Sequence, residues 1–269
     1  MNMDVTTGNG TETGYFRQAI GSASVGLGLQ SSEVLRLPNN YSATAVSFAG
    51  SLPDLVCLSH LRWDAVYQRP QHLMSRCAFE RRVYFVEEPV FSDSIPRLEI
   101  SRRNGGVLVV VPHLPLGLSD SEAAVLEQSL LLDELFLEYA ITDYILWYYT
   151  PMAIAFTWHL EPLTIVYDCL DELSASKDAP QNINQREAEL LMSADLVFTE
   201  GYSLYEAKRR LHPNVHPFPN SLDSAAWDST WARMMELINL TVKKHYPDLF
   251  VTQPVSVSLA GNSVLPGSD

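Results

Sequence analysis

Residues 54–72 read DLVCLSHLRWDAVYQRPQH. The apolar run Leu55–Ser59 comes first, and an aromatic and basic loop separates it from Pro70, a residue type favoured in the first turn of a helix. A buried strand that leads through a loop into a helix is the repeating unit of folds in which strands and helices alternate. This stretch therefore predicts where the folded core begins and what class of fold it has.

Strand-like and helical segments continue to alternate up to residue 223. Six further apolar runs predict parallel strands that are covered on both faces: Val83–Glu87, Val107–Pro112, Tyr144–Tyr148, Thr164–Tyr167, Leu196–Thr199 and Val215–Phe218. Two capping-box patterns, Ser119 to Glu122 and Ser203 to Glu206, predict the starts of helices. The alternation predicts an α/β fold with a single doubly wound, mostly parallel, Rossmann-like sheet.

The two ends of the chain differ from this core. Residues 1–50 are rich in Gly, Ser, Thr and Asn without a periodic apolar pattern, which predicts a flexible leader. The core is then a domain over 51–223, and the last segment is 224–269, where an amphipathic helix precedes an irregular tail. That helix carries an apolar stripe of Trp231, Met234, Ile238 and Val242. The stripe needs a docking surface, for which the sheet domain is the candidate.

The composition limits the classes of function. With 32 acidic against 18 basic residues the formal net charge is −14, which disfavours binding to nucleic acid. Cys57, Cys77 and Cys169 show neither CxxC nor Cys/His metal-ligand spacing, as is typical of buried thiols in a reducing compartment. We therefore expect a cytoplasmic protein that uses no metal and no cofactor.

One segment, Tyr144–Leu160, contains no Asp, Glu, Lys or Arg. It is shorter than the roughly 20 apolar residues that a membrane-spanning helix needs, and Pro151 interrupts it. A strand followed by a helix describes it better than a membrane span. We expect at most peripheral contact with the inner face of a membrane.

Ligands of open α/β sheets bind beyond the carboxyl ends of the strands. Polar and aromatic residues follow four of the predicted strands. They are His60, Arg62, Trp63, Asp64, Tyr67 and Arg69 after the first, Glu87 and Glu88 after the second, Asp168, Asp171 and Glu172 after the fifth, and Glu200 and Ser203 after the sixth. The predicted site lies among these residues.

The tetrapeptide Arg69-Pro70-Gln71-His72 predicts an anion pocket. If Arg69 is the N-cap and His72 lies in the first turn, a guanidinium, an imidazole and free helix N–H groups converge on one point. Such a point suits pyrophosphate. The alternative is structural: Arg69 pairs with Glu87 or Glu88, and His72 is a buried, hydrogen-bonded residue.

Other candidates also have two interpretations. Trp63 and Tyr67 either stack on a sugar ring or pin the loop that carries them. Asp168 and Asp171 either supply a general base for an acceptor hydroxyl or cap the next helix. His60, at the head of the first loop, is a further candidate base.

Five segments carry a resemblance to a known family. They are SHLRWDAVYQRPQHL (59–73), VYFVEEPVF (83–91), LWYYTPM (146–152), VYDCLDELSA (166–175) and ADLVFTEGYSLYEAKRRLHPNVHPFPNSLD (194–223). Together they resemble the N-terminal half of bacterial two-domain glycosyltransferases of the GT-B class, of family 1 or family 4 and of the teichuronic-acid-biosynthesis type. Residues 220–223, NSLD, stand where many relatives have Asn-Gly-Val-Asp, the hinge into the second domain.

The resemblance implies transfer of a hexosyl group from a nucleotide sugar to a cell-envelope polysaccharide or lipopolysaccharide. The N-terminal domain holds a glycan or lipid-linked acceptor, and the second domain binds the donor. On this hypothesis His60 or Asp168 acts as the catalytic base. The predicted substrate-binding residues are Trp63, Tyr67, Arg69, His72, Glu87, Asp171, Glu172 and Ser203.

The chain departs from the family pattern after residue 223. Only 46 residues follow (269 − 223), and Glu236 is the single glutamate among them, so the acidic E-x7-E pattern of retaining relatives has no counterpart. The segment WDSTWARM (227–234) resembles the final helix of relatives. We expect an internal deletion that leaves transfer impaired or dependent on a partner chain or a homo-oligomer. The alternative is a non-catalytic domain, either glycan-binding or a remnant.

Overall fold

The computed structural model describes residues 52–119, 121–172, 180, 182–219 and 224–250. Within them, nine strands form one sheet: β1 (Asp54–Leu58), β2 (Val83–Val86), β3 (Val90–Ser92), β4 (Arg97–Arg102), β5 (Leu108–Pro115), β6 (Tyr144–Tyr148), β7 (Thr164–Cys169), β8 (Leu196–Thr199) and β9 (Val215–Pro217). The order is β3-β5-β2-β1-β6-β7-β8-β9, and all these neighbours are parallel. Strand β4 pairs antiparallel with β5. The predicted mostly parallel α/β sheet is confirmed.

Six α-helices flank the strands in the described part of the chain: α1 (Arg69–Cys77), α2 (Glu122–Glu138), α3 (Ile154–Thr157), α4 (Ile183–Ser193), α5 (Tyr202–Lys208) and α6 (Ser224–His245). Short 3-10 turns lie at Leu116–Leu118, Pro151–Ala153 and Pro247–Leu249. None of these helices is both long and apolar enough to cross a bilayer. The uncharged segment Tyr144–Leu160 forms β6, a 3-10 turn and α3, as predicted.

Each face of the sheet carries its own hydrophobic core. Successive side chains of a strand point to opposite faces, so Leu55 and Cys57 of β1 enter one core while Val56 and Leu58 enter the other. All five residues of β1 are buried. The continuous apolar run in the sequence therefore has a direct physical cause, since β1 has no solvent-exposed face.

Helix α6 covers the first of these cores. Its side chains Met234, Ile238 and Val242 are fully buried in the cluster that also contains the β1 residues. Near the start of the helix, Asp228 forms an ion pair with Arg76 of α1. The prediction that an apolar stripe docks this helix on the sheet domain is confirmed.

Some boundaries differ from the sequence-based predictions. Helix α2 is capped by Ser121, whose Oγ accepts a hydrogen bond from the Ala124 N–H at 3.2 Å, rather than by Ser119. Helix α5 begins at Tyr202 after Gly201, so Ser203 lies inside the helix. Strands β3 and β4 were not predicted at all. The predicted leader, the hinge-like segment 220–223 and the end of the tail lie outside the described residues.

Candidate functional site

The carboxyl ends of β1, β2, β6, β7 and β8 meet at one edge of the sheet, because these strands are parallel neighbours. The long β1–α1 loop, residues 59–68, starts at this edge and holds most of the aromatic and basic candidates. The structure places the sequence-predicted residues in several settings, which include a buried ion pair at Arg69 and Asp168, a pinned loop at Glu87 and Trp63, and a polar atom without a partner at His60.

Arg69 and Asp168 form a buried ion pair. The Arg69 Nε donates to Asp168 Oδ2 at 3.1 Å and its Nη2 donates to Oδ1 at 2.9 Å. A further guanidinium nitrogen, Nη1, donates to the carbonyl oxygen of Phe218. Arg69 is 2% exposed and Asp168 is 0% exposed. Burial is the largest single influence and lowers the pKa of Arg69. The Asp168 carboxylate, together with Tyr149 and Glu200, more than offsets it, so the pKa of Arg69 is raised and the guanidinium stays charged.

This geometry corrects two sequence-based assignments. Arg69 is the first residue of α1, with Gln68 as its N-cap, and its guanidinium is taken up by Asp168 instead of by Glu87 or Glu88. A side chain with this burial does not present a charge to pyrophosphate. Asp168 is likewise enclosed and paired, so it is not placed to take a proton from a bound acceptor.

His72 does not share a surface with Arg69. It is exposed on α1, where its ring stacks on Trp227 of α6 with centroids 5.0 Å apart and planes inclined by 9°. Tyr67 meets the same imidazole edge-on at 4.5 Å. The predicted convergence of Arg69 and His72 on one anion is therefore absent, and so is the alternative of a buried His72. The imidazole instead links the β1–α1 loop to α6.

Glu87 holds the β1–α1 loop in place. Its Oε1 accepts a hydrogen bond from the Trp63 N–H at 2.7 Å, and its Oε2 accepts one from Arg62 at 2.8 Å. The Trp63 ring is 8% exposed and packs edge-on against Phe85 with centroids 5.0 Å apart. These contacts favour the interpretation in which Trp63 pins the β1–α1 loop, because most of its ring is buried against the domain.

His60 is the predicted base that remains available. Its Nδ1 is buried and has no hydrogen-bond partner among the described residues. Burial lowers the pKa of His60, and this outweighs the backbone of Tyr149 and the charge of Asp171, which act in the opposite direction. The imidazole is consequently neutral at pH 7. Asp171 itself is exposed.

Two residues at this edge were missed by sequence reasoning. The hydroxyls of Tyr149, just after β6, and of Thr199, at the end of β8, are buried without a hydrogen-bond partner in the described part of the chain. Buried polar groups are nearly always satisfied, so several exceptions at one edge of a sheet point to a functional role. Neither hydroxyl has a sequence signal, because both residues end ordinary apolar strands.

The sequence does not distinguish Glu88 from its neighbour Glu87, but the structure gives the two carboxyl groups different settings. Burial raises the pKa of Glu88 to about 6, although the charge of Arg62 acts against this. The adjacent Glu87 is used in the loop contacts described above. A carboxyl with a pKa near neutrality is suited to general acid–base chemistry.

Glu172 and Ser203 have structural or peripheral settings. Both Glu172 carboxylate oxygens lie 3.2 Å from the Lys208 ammonium, which also pairs with Glu187 at 2.8 Å. Lys208 is 2% exposed, so these carboxylates compensate a buried charge. Ser203 is exposed on α5. In the described residues, no group of three or more His, Cys, Asp or Glu is arranged to hold a metal ion.

A cavity of about 480 Å³ lies between the β1–α1 loop, α1 and the β4–β5 turn. Its lining residues are Trp63, Asp64, Tyr67, Ser75, Arg102, Arg103, Asn104 and Gly105. Asp64 and Arg103 form an ion pair across it at 2.8 Å, whereas no described carboxylate lies within ion-pair distance of Arg102. The Tyr67 ring is 61% exposed. Aromatic rings beside arginine and carboxylate groups are suited to a polar, ring-shaped ligand.

Comparisons with known proteins find similarity only in three dimensions. No protein-family model and no curated protein matches the sequence. A sucrose-phosphate synthase structure from Thermosynechococcus elongatus has a TM-score of 0.49 and 11% identity, covering 70% of this chain and 98% of that one. A trehalose-6-phosphate synthase from E. coli bound with UDP-2-fluoro glucose has a TM-score of 0.44 and 10% identity, covering 63% and 49%.

The catalytic domain of starch synthase IV from Arabidopsis thaliana, bound to ADP and acarbose, has a TM-score of 0.39 and 11% identity. The match covers 66% of this chain and 53% of that one. The chain thus spans about half the length of the starch synthase and trehalose-6-phosphate synthase structures. The similarity to these structures is one of backbone fold.

Proposed function

We propose that the chain is a glycosyltransferase-like domain that takes part in the transfer of a hexosyl group from a nucleotide sugar to a cell-envelope polysaccharide or lipopolysaccharide. The motifs between residues 54 and 223 and the doubly wound sheet support this proposal. The single observation that carries it is His60, a neutral imidazole at the carboxyl edge of the sheet with a buried, unpartnered Nδ1.

In such a transfer the acceptor oxygen attacks the anomeric carbon of the donor sugar. The acceptor hydroxyl loses its proton, and the bond from the anomeric carbon to the nucleoside diphosphate breaks. His60 takes the proton, because the neutral imidazole is the form that accepts one. The nearby charge of Asp171 raises the pKa of His60 and so stabilises the imidazolium that forms.

A transfer assay on the full chain tests the proposal. The chain is incubated with a panel of nucleotide sugars, with and without acceptor glycans and candidate partner chains. We expect His60→Ala to lower turnover by about 100-fold, since losing a general base typically costs at least this factor. His159→Ala is the matched control, because His159 pairs with Asp133 of α2 and not with the site. Absence of both transfer and donor hydrolysis in every arm, or full activity of His60→Ala, would sink the proposal.

A second candidate is glycan binding without catalysis, and the cavity beside Tyr67 favours it. An exposed tyrosine offers a flat apolar surface to a sugar ring, while Arg102 offers a positive charge to a phosphate or carboxylate on a glycan or lipid-linked acceptor. Calorimetric titration of acceptor glycans measures this directly. We expect Tyr67→Ala to weaken binding about tenfold, whereas Tyr202→Ala, at an equally exposed tyrosine elsewhere, leaves it unchanged.

The two candidates give different results in the two experiments. Heat on titration together with no turnover in any arm supports the binding domain. Turnover that depends on His60 supports the transferase. No heat with any glycan and no turnover contradicts both.

A further inference from the structure

Helix α2 has an apolar surface on the side that faces away from the sheet. Its buried side chains, Ala124, Leu131, Leu132 and Leu135, belong to the hydrophobic clusters on one face of the sheet. Three other leucines of the same helix are exposed: Leu126 by 61%, Leu130 by 49% and Leu137 by 83%. Single exposed leucines are ordinary, but three on one helix call for an explanation.

The three leucines form one stripe. Successive helical residues are about 100° apart around the axis, so Leu126, Leu130 and Leu137 fall within an arc of about 40°. Their spacing of four and seven residues is that of a seam to which a second helix packs. We call these three side chains the α2 stripe. Asp133 lies at the heptad position between Leu130 and Leu137, where it pairs with His159 at 2.9 Å.

The charged residues of helix α2 itself all have one sign. Helix α2 contains five carboxylates and no lysine or arginine. At about 100° per residue, Glu127, Glu134 and Glu138 flank the stripe on one side, and Glu122 and Asp133 flank it on the other. Of these five, only Asp133 has a basic partner within ion-pair distance in the described part of the chain.

Helix α2 is connected to its neighbour α3 by a hydrogen bond. The Ser129 hydroxyl donates to the carbonyl oxygen of Phe156 at 2.8 Å, which ties α2 to α3 and to the loop after it. In that loop the Trp158 ring is 76% exposed and lines a cavity of about 370 Å³ together with Ile154 and Met192 and with the polar side chains of Arg186 and Glu189. None of the residues that line this cavity belongs to α2.

We propose that the α2 stripe is the docking surface for a basic amphipathic helix of a partner protein. An apolar ridge on such a helix covers the leucines, and lysine or arginine on both sides of the ridge meets the carboxylates of α2. A second copy of this chain is a poor occupant, because pairing α2 with itself brings carboxylates face to face. Anionic lipid is excluded for the same reason.

Designed helical peptides test the proposal on the full chain. The first peptide carries leucine at heptad spacing with lysine on both flanks, the second has glutamate in place of lysine, and the third keeps lysine but has serine in place of leucine. Fluorescence anisotropy at fixed ionic strength measures their affinities. We expect the first peptide to bind at least about tenfold more tightly than either of the others.

Two variants of the chain locate the binding surface. Leu130→Ser/Leu137→Ser is expected to weaken binding of the first peptide about tenfold, while Leu211→Ser, at an exposed leucine after α5, leaves it unchanged. Glu127→Lys/Glu134→Lys is expected to remove most of the preference for the lysine-flanked over the glutamate-flanked peptide, because it changes the local charge of α2 from −5 to −1. This second variant does not depend on removing apolar side chains.

Three outcomes overturn the proposal. Equal affinity of the chain for the first and third peptides would show that the net charge of the chain alone drives binding. Equal affinity of Leu130→Ser/Leu137→Ser and the unmodified chain for the first peptide would show that the peptide binds at another surface. A dimer that light scattering detects in the unmodified chain, and that Leu130→Ser/Leu137→Ser abolishes, makes a second copy the occupant.

Discussion

Arg69 and Asp168 are 99 residues apart in the sequence and form a two-point ion pair inside the domain. The pair joins the first residue of α1 to the penultimate residue of β7. A third hydrogen bond from the same guanidinium reaches the carbonyl of Phe218, just after β9. One side chain therefore fixes three separate segments at the carboxyl edge of the sheet.

Removing one partner of this pair should be costly. Arg69→Met leaves the Asp168 carboxylate buried without a counter-charge, which typically destabilises a protein by about 3–5 kcal/mol. Replacing both partners, as in Arg69→Met/Asp168→Leu, should cost much less than the sum of the single changes, because no buried charge remains. Urea denaturation measures the free energy of unfolding for each variant.

The matched control is the exposed pair between Arg103 and Asp64, whose carboxylate side chain is 65% exposed. Arg103→Met should cost no more than about 1 kcal/mol. If Arg69→Met and Arg103→Met proved equally mild, the Arg69–Asp168 pair would not be the structural tie that its geometry indicates.

Helix α6 should be an integral part of the domain and not an appendage. Ile238 is fully buried against the sheet, so Ile238→Ala leaves a cavity and should cost about 2–5 kcal/mol. Leu240 lies on the same helix and is 54% exposed, so Leu240→Ala should change stability by less than about 0.5 kcal/mol. Chemical denaturation of both variants makes the comparison. Equal effects would mean that α6 does not pack in solution as it does in the structure.

The sequence predicted the central strands well for a physical reason. Strands such as β1 and β6 are buried on both faces, and this burial requires a continuous apolar run. Strand β4, RLEISR, was missed because it lies at the edge and alternates exposed charged residues with partly buried ones. Strand β3 has only three residues. Both are held by pairing with β5, which a local pattern does not reveal.

The candidate site was harder to predict than the fold. The sequence places Glu87, Glu88 and Asp168 at the ends of strands, but which of these carboxylates meets Arg69 depends on the order of the strands and on the path of the β1–α1 loop. In the structure that loop turns Trp63 and Arg62 towards Glu87 and leaves Arg69 to Asp168. His60 was identified from its position alone, whereas its unpartnered nitrogen is a property of the packed structure.

The lowered pKa of His60 predicts a change of stability with pH. The unfolded chain binds the proton with a pKa of about 6.5, whereas burial lowers the pKa in the folded state. As the pH falls through about 6.5, the unfolded state therefore binds more protons than the folded state, and the free energy of unfolding decreases. Between pH 7 and pH 5 the unmodified chain should lose more stability than His60→Gln, which lacks the titrating group. Parallel slopes in urea titrations at several pH values would contradict the assignment.

Glu88 predicts an effect of the opposite sign. Burial raises its pKa to about 6 from an ordinary value of 4.5, so the folded state holds the proton more tightly than the unfolded one. At pH 7 the ionised carboxylate then destabilises the fold by about 2 kcal/mol, the free energy that corresponds to this difference. Glu88→Gln removes the charge and should raise the free energy of unfolding by up to about 2 kcal/mol at pH 7.

The gain from Glu88→Gln should shrink as the pH falls through 6 and vanish below about 4.5, where Glu88 is protonated in both states. Urea denaturation between pH 4 and pH 7.5 follows this dependence. Glu134→Gln is the matched control, because Glu134 is exposed on α2 and its replacement should leave the pH profile unchanged. A gain that stayed constant across this range would show that the substitution acts through packing. Since a carboxyl retained at such a cost needs a reason, a stabilised but inactive Glu88→Gln in the transfer assay would place Glu88 beside His60 in the site.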